Sequence, residues 1–116
     1  MTYQELEANI DILRIGNEDV LTPKDYSDQD LQSLYKIDAK LEMKLDVEQA
    51  LDIELDGRDI DERITTILSR ALAFKQLSIF YKNNDGGNGT KNRIRWELYR
   101  SLYERERLAF RNLFIN

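Results

Sequence analysis

The 116-residue chain has no cysteine and no histidine, one proline, one tryptophan and five glycines. Without cysteine there can be no disulfide, thiol nucleophile or zinc–thiolate site. Without histidine there is no imidazole to serve as general base, proton shuttle or metal ligand. Serine and cysteine triads, zinc hydrolases and ferrous facial-triad oxygenases are therefore excluded. Only carboxylate, lysine or magnesium chemistry would remain to an enzyme, and in the acidic cluster at 46–62, where it would be built, no pair has the spacing that specifies a reaction. The sequence points to no catalytic residue, no metal and no cofactor. The longest wholly apolar run is four residues, Ala71 to Phe74, far short of a bilayer span. The start, MTYQELEAN, is polar and acidic and does not read as a secretion signal.

What is present is charge. Charged residues make up 34% of the chain and apolar ones 41%, a mixture that predicts one soluble, helix-rich domain over 1–116. Residues 1–62 carry 18 acidic and six basic side chains, a balance of −12, whereas 63–116 carry four acidic and 11 basic, a balance of +7. Two arrangements account for this polarity. An acidic N-terminal layer can fold against a basic C-terminal one, or the acidic face of one subunit can meet the basic face of the next. Head-to-tail contacts of the second kind close into rings or continue as filaments.

The segment 59–83 organises the rest. Ile60, Ile64, Ile67, Leu68 and Ala71 recur at helical spacing, and Asp59 with Glu62 makes a capping box. From Ala71 onward Ala73, Leu77 and Phe80 add the opposite side, so this helix is apolar nearly all round and belongs at the centre of a bundle. Upstream, Thr2 and Glu5 predict a helix over about 3–12 ending near Gly16, followed by a turn-rich connector with Val20, Leu21 and Tyr26 as anchors. Ser27 with Asp30 starts a second helix, running to about Leu45 on a stripe of Leu31, Leu34, Tyr35, Leu41 and Leu45. Beyond it, Asp46 and Gln49 can cap a further helix through Leu55. Alternatively, the alternation of Leu51, Ile53 and Leu55 before Asp56-Gly57 can form a hairpin. Helix followed by an irregular turn is the favoured reading. The layout is thus 1–27 as N-terminal helix and connector and 28–114 as helical core, in an all-α bundle of about four helices.

Two stretches imitate binding motifs. Asp52, Glu54, Asp56 and Gly57 match the opening of a calcium loop, but its eighth position is Asp59 and its twelfth, where a bidentate glutamate belongs, is Arg63. The stretch reads as a solvated acidic turn. The glycine-rich break at 83–92 has neither the preceding strand nor the order of a phosphate cradle, and reads as a reversal between two helices.

The last helix, 91–114, is the most informative surface. At about 100° per residue, Arg93, Glu97, Arg100, Glu104, Arg107 and Arg111 fall within an arc of about 80°, spaced for alternating ion pairs. The rest divides into an aliphatic side (Ile94, Leu98, Leu102, Ala109, Leu113) and an aromatic side (Trp96, Tyr99, Tyr103, Phe110, Phe114). The expectation is that the aliphatic side packs on the central helix. The aromatic side and the apolar terminus, Trp96, Tyr99, Tyr103, Phe110, Leu113, Phe114 and Ile115, are then left as the candidate partner interface, rich in the residue types that interfaces favour. Coverage of the aromatics by the first two helices is the competing possibility.

The stretch LSRALAFKQLSIFYKNN from Leu68, the polar glycine-rich loop after it, and WELYRSLYERE from Trp96 together resemble the head–tail connector adaptor proteins of long-tailed bacteriophages. The likeness covers roughly 28–112 and lies in the pattern of helices. It implies a virion protein, made in the host cytoplasm, that forms a head-to-tail ring, typically dodecameric, on the portal protein and receives a stopper or tail-completion protein. DNA would pass through the channel without specific binding, and no membrane would be involved. The C-terminal segment, here Phe110, Leu113, Phe114 and Ile115, would dock on the portal. The alternative is an arginine-rich helical nucleic-acid-binding protein using Arg93, Arg95, Arg100, Arg107 and Arg111, against which stands the acidic total.

Overall fold

The computed structural model describes residues 1–16, 27–84 and 89–113. Among these, regular structure is helical throughout: α1 (Ile10–Gly16), α2 (Asp28–Ser33), α3 (Lys36–Leu51), α4 (Glu62–Asn83) and α5 (Gly89–Ala109), with 3-10 turns at Tyr3–Glu5 and Phe110–Asn112. The expected anchors Val20, Leu21 and Tyr26, most of the glycine-rich break, and Phe114 and Ile115 lie outside the described residues.

The helix α4 is central. Ile64, Leu68, Ala71 and Leu72 are buried on one side, and Ala73, Leu77, Phe80 and Tyr81 on others, so neighbours cover it nearly all round. It lies along α5 for most of its length and also touches α1 and α3. Its start differs from the expected capping box. Asp61 is the N-cap, accepting from the Ile64 backbone N–H at 2.9 Å, while Asp59 instead receives the Met1 ammonium at 2.9 Å. Ile60 decides this, because its side chain is 2% exposed and its backbone N–H donates to the Met1 carbonyl, which keeps 59 and 60 out of the helix.

The N-terminal helix is displaced as well. The Thr2–Glu5 capping box forms but closes only a 3-10 turn. The chain then runs extended over α4, burying Leu6 and Ala8 and donating the Asn9 N–H to the Ser69 carbonyl. The Asn9 side chain then accepts from the Ile12 N–H as α1 begins. Gly16 sits where a Cβ would collide with the Leu77 side chain, and the Tyr81 hydroxyl donates to its carbonyl.

The Ser27–Asp30 capping box starts α2 as the spacing predicts. The helix does not continue to Leu45. It stops at Ser33, Leu34 is extended, Tyr35 adopts a left-handed conformation (φ 51°), and α3 starts afresh. No glycine or proline causes this break. Gln76 of α4, 1% exposed, donates its amide to the carbonyls of Gln32 (3.0 Å) and Leu34 (2.8 Å), supplying partners for groups a broken helix leaves unpaired. Tyr35 meets the Phe80 ring edge-on at 6.5 Å. From Lys36 the helix continues unbroken to Leu51, so 46–51 is helix rather than hairpin. Asp52 then takes the left-handed C-cap position (φ 52°) and Gly57 turns the chain at φ 72°.

Candidate assembly surface

The orientation of α5 is the reverse of the expected one. Its aromatic side faces inward: Tyr103 is 2% exposed and Phe110 fully buried, and Trp96 and Tyr99 are half-buried against the core. Tyr99 stacks on Tyr81 (5.8 Å between centroids, 8° between planes), and Tyr103 meets Phe110 edge-on at 6.3 Å. Of the aliphatic side, Ile94 (61% exposed) and Leu98 (50%) face out together with Leu108 (74%), whereas Leu102 is half-buried and Leu113 is buried. The physical reason is area, since an aromatic side chain removes about 150–250 Å² from water. The phenol of Tyr103 also finds a partner inside, donating to Asp46 of α3. Its hydroxyl is held far above the usual phenol range, first by burial and then by the Asp46 carboxylate. Burial pushes Tyr81 up to about 12, and Tyr3 rises for the same reason.

Of the residues expected to form a partner interface, Tyr103, Phe110 and Leu113 are thus committed to the chain's own core, and Phe114 and Ile115 lie outside the described residues. The tail is tied down where it is seen: the 3-10 turn at Phe110–Asn112 packs against α3, and Arg63 donates to the Leu113 carbonyl at 3.0 Å. Two pairs of the charged stripe of α5 are seen, Arg107 on Glu104 at 2.8 Å and Arg93 near Glu97 at 3.6 Å. Arg100 lies over the Trp96 ring at 5.2 Å, and Arg95 near the Tyr81 ring at 5.7 Å.

A second outward ridge lies on α3. Leu41 (57% exposed) and Leu45 (50%), both members of the expected apolar stripe, face out beside Ile37 (84%). The inward positions of α3 are Ala39, Met43 and Val47, all fully buried. The signal was present at spacing four, because Ala39, Met43 and Val47 form their own stripe beside the larger leucines. The lysines of α3 turn to the N-terminal and acidic-turn segments. Lys40 donates to the Gln4 and Leu6 carbonyls, Lys44 pairs with Asp56 at 2.7 Å, and Lys36 lies 3.5 Å from Glu7. In the calcium-like turn, Lys44 and the Gln4 amide already occupy the Asp56 carboxylate. No cluster of three or more metal-ligating side chains exists among the described residues.

Among the described residues, Lys75–Glu42 (2.7 Å) is the one direct pair that joins the acidic half to the basic half. The others join Arg14 to Asp28, Lys44 to Asp56, Arg70 to Glu106 and similar partners within one half. Between α3 and the end of α5 runs a cleft of about 380 Å³, lined by Asp46, Gln49, Ala50, Arg107, Leu108 and Arg111. No helix among the described residues is long and apolar enough to cross a membrane. No family model, curated protein or solved structure is significantly similar to the chain.

Proposed function

We propose that the chain is a structural subunit of a virion, a head–tail connector adaptor that assembles with copies of itself on a portal ring and continues the DNA channel toward the tail. The observation that supports it best is the ridge of Ile94, Leu98 and Leu108, left in water on a helix whose aromatic side packs on the core. Apolar surface of this kind gains roughly 25 cal/mol per Å² when a partner covers it. The docking role that the resemblance gives to the C-terminal segment would then fall to Phe114 and Ile115, because Phe110 and Leu113 are buried in the core. The acidic balance of 1–62 suits a channel lining, because carboxylates repel phosphate and let DNA slide. A stopper or tail-completion protein would occupy the opposite rim.

The nucleic-acid-binding alternative has less support. Arg93 and Arg107 are paired with glutamates, and Arg95 and Arg100 lie against aromatic rings, which leaves few arginines to neutralise phosphates. The deciding experiment is mass measurement of the purified chain alone and with a portal ring. A ring-sized complex with the portal is expected. Absence of any portal complex, together with duplex affinity that falls steeply with salt, would exchange the first reading for the second.

A further inference from the structure

We infer that the outward ridge of α5 on one copy of the chain packs on the outward ridge of α3 on the next, with Arg105 of the first copy opposite Asp52 of the second. This rests on the assembly reading above and assigns its self-contact to two faces. Both ridges are aliphatic and exposed by half or more. Their spacing matches: Ile94, Leu98 and Arg105 fall at steps of four and seven, as do Leu41, Leu45 and Asp52. Each set spans about 16 Å at 1.5 Å per residue, so a parallel pairing sets leucine and isoleucine on leucine and arginine on aspartate.

Charge selects a second copy over other occupants and sets which face meets which. Arg105 sits in the middle of the α5 ridge with no ion-pair partner among the described residues, on a helix with six basic and three acidic side chains. Asp38 and Asp52 beside the α3 ridge likewise have none, because the α3 lysines are held by the chain's own segments. In the same parallel register, α5 on α5 would put Arg105 on Arg105 and α3 on α3 would put Asp52 on Asp52, both repulsive. In that register α5 on α3 is the pairing that places opposite signs together. Such a contact is heterologous, leaves one free face at each end, and propagates until a ring closes.

Because the native chain lacks cysteine, the contact can be read by engineered crosslinks. Leu45→Cys and Leu98→Cys proteins, each at an exposed site, are mixed at equal amounts and oxidised, with folding checked by circular dichroism. The expected product is the Leu45→Cys/Leu98→Cys heterodimer, in about tenfold excess over either homodimer, where random collision gives about twofold. Adding Arg105→Glu to the Leu98→Cys chain should bring the ratio back to the random value. Predominance of either homodimer, a random ratio, or no crosslink overturns the inference. If portal binding persists despite that result, the connector reading stands and its self-contact lies elsewhere. A selective heterodimer without portal binding retires the connector reading and keeps the contact.

Discussion

Replacing Phe110 by alanine separates a C-terminal tail that is core from one that is a free docking arm. Phe110 is fully buried, meets Tyr103 edge-on at 6.3 Å, and lies in the 3-10 turn packed on α3. Removing the ring takes about 100–150 Å² of apolar surface out of the interior, about 2.5–4 kcal/mol at ~25 cal/mol per Å². The lost edge contact adds about 0.5–1.5 kcal/mol, and partial collapse of the cavity returns some of it. The expected cost is about 3–5 kcal/mol, against a total stability of about 5–15 kcal/mol for a domain of this size. Urea unfolding followed by circular dichroism should show the midpoint falling by about 2 M at unchanged slope. Leu108→Ala, two residues earlier but 74% exposed, is the control and should stay within about 0.5 kcal/mol. If Phe110→Ala costs less than about 1 kcal/mol and matches the control, the tail does not belong to the core and the inward orientation of the aromatic side is refuted.

Asp61→Ala should cost about 1 kcal/mol by removing the cap of α4, while Asp59→Ala, on an exposed pair with the Met1 ammonium, should cost distinctly less in the same assay. Gln76→Leu keeps the volume but leaves the Gln32 and Leu34 carbonyls without their donor, and should lower stability by about 1–3 kcal/mol. If it is neutral, Gln76 does not hold the break between α2 and α3. Tyr3, Tyr81 and Tyr103 all keep their protons longer in the folded chain than in the unfolded one. Their contribution is complete below about pH 10 and falls as pH rises above it, by up to about 1.4 kcal/mol per unit for each tyrosine. Tyrosinate absorbance should therefore lag for these three until the chain unfolds, and a smooth titration of all tyrosines near pH 10 in folded protein would contradict the burial.

The centre of the fold was readable because α4 carries its partners' demands in its own pattern: Ile64 and Leu68 on one side, Leu77 and Phe80 on another. The Ser27–Asp30 box was equally local and formed as spaced. Three features were not readable, each for a reason distant in sequence. The break at Tyr35 depends on Gln76. The choice of Asp61 over Asp59 depends on burying Ile60 beside Met1. The rotation of α5 depends on Asp46 of α3 and Tyr81 of α4, which give its aromatics a hydrogen bond and a stacking partner. That last point is why Tyr103, Phe110 and Leu113, offered to a partner by the pattern, are buried in the chain's own core. Periodicity divides a helix into faces, but it does not say which of two apolar faces the core will take.

The Gln76 clamp also bears on the order of events during synthesis. Residues 28–51 contain no glycine or proline, and residue 76 is added to the chain only after all of them. Nothing local in that segment therefore asks for a bend at Tyr35. The bend is held from outside it, by the Gln76 amide on the carbonyls of Gln32 and Leu34. The N-terminal half of this molecule takes its final shape from a residue in the C-terminal half, so its corner is a record of docking rather than an instruction for it.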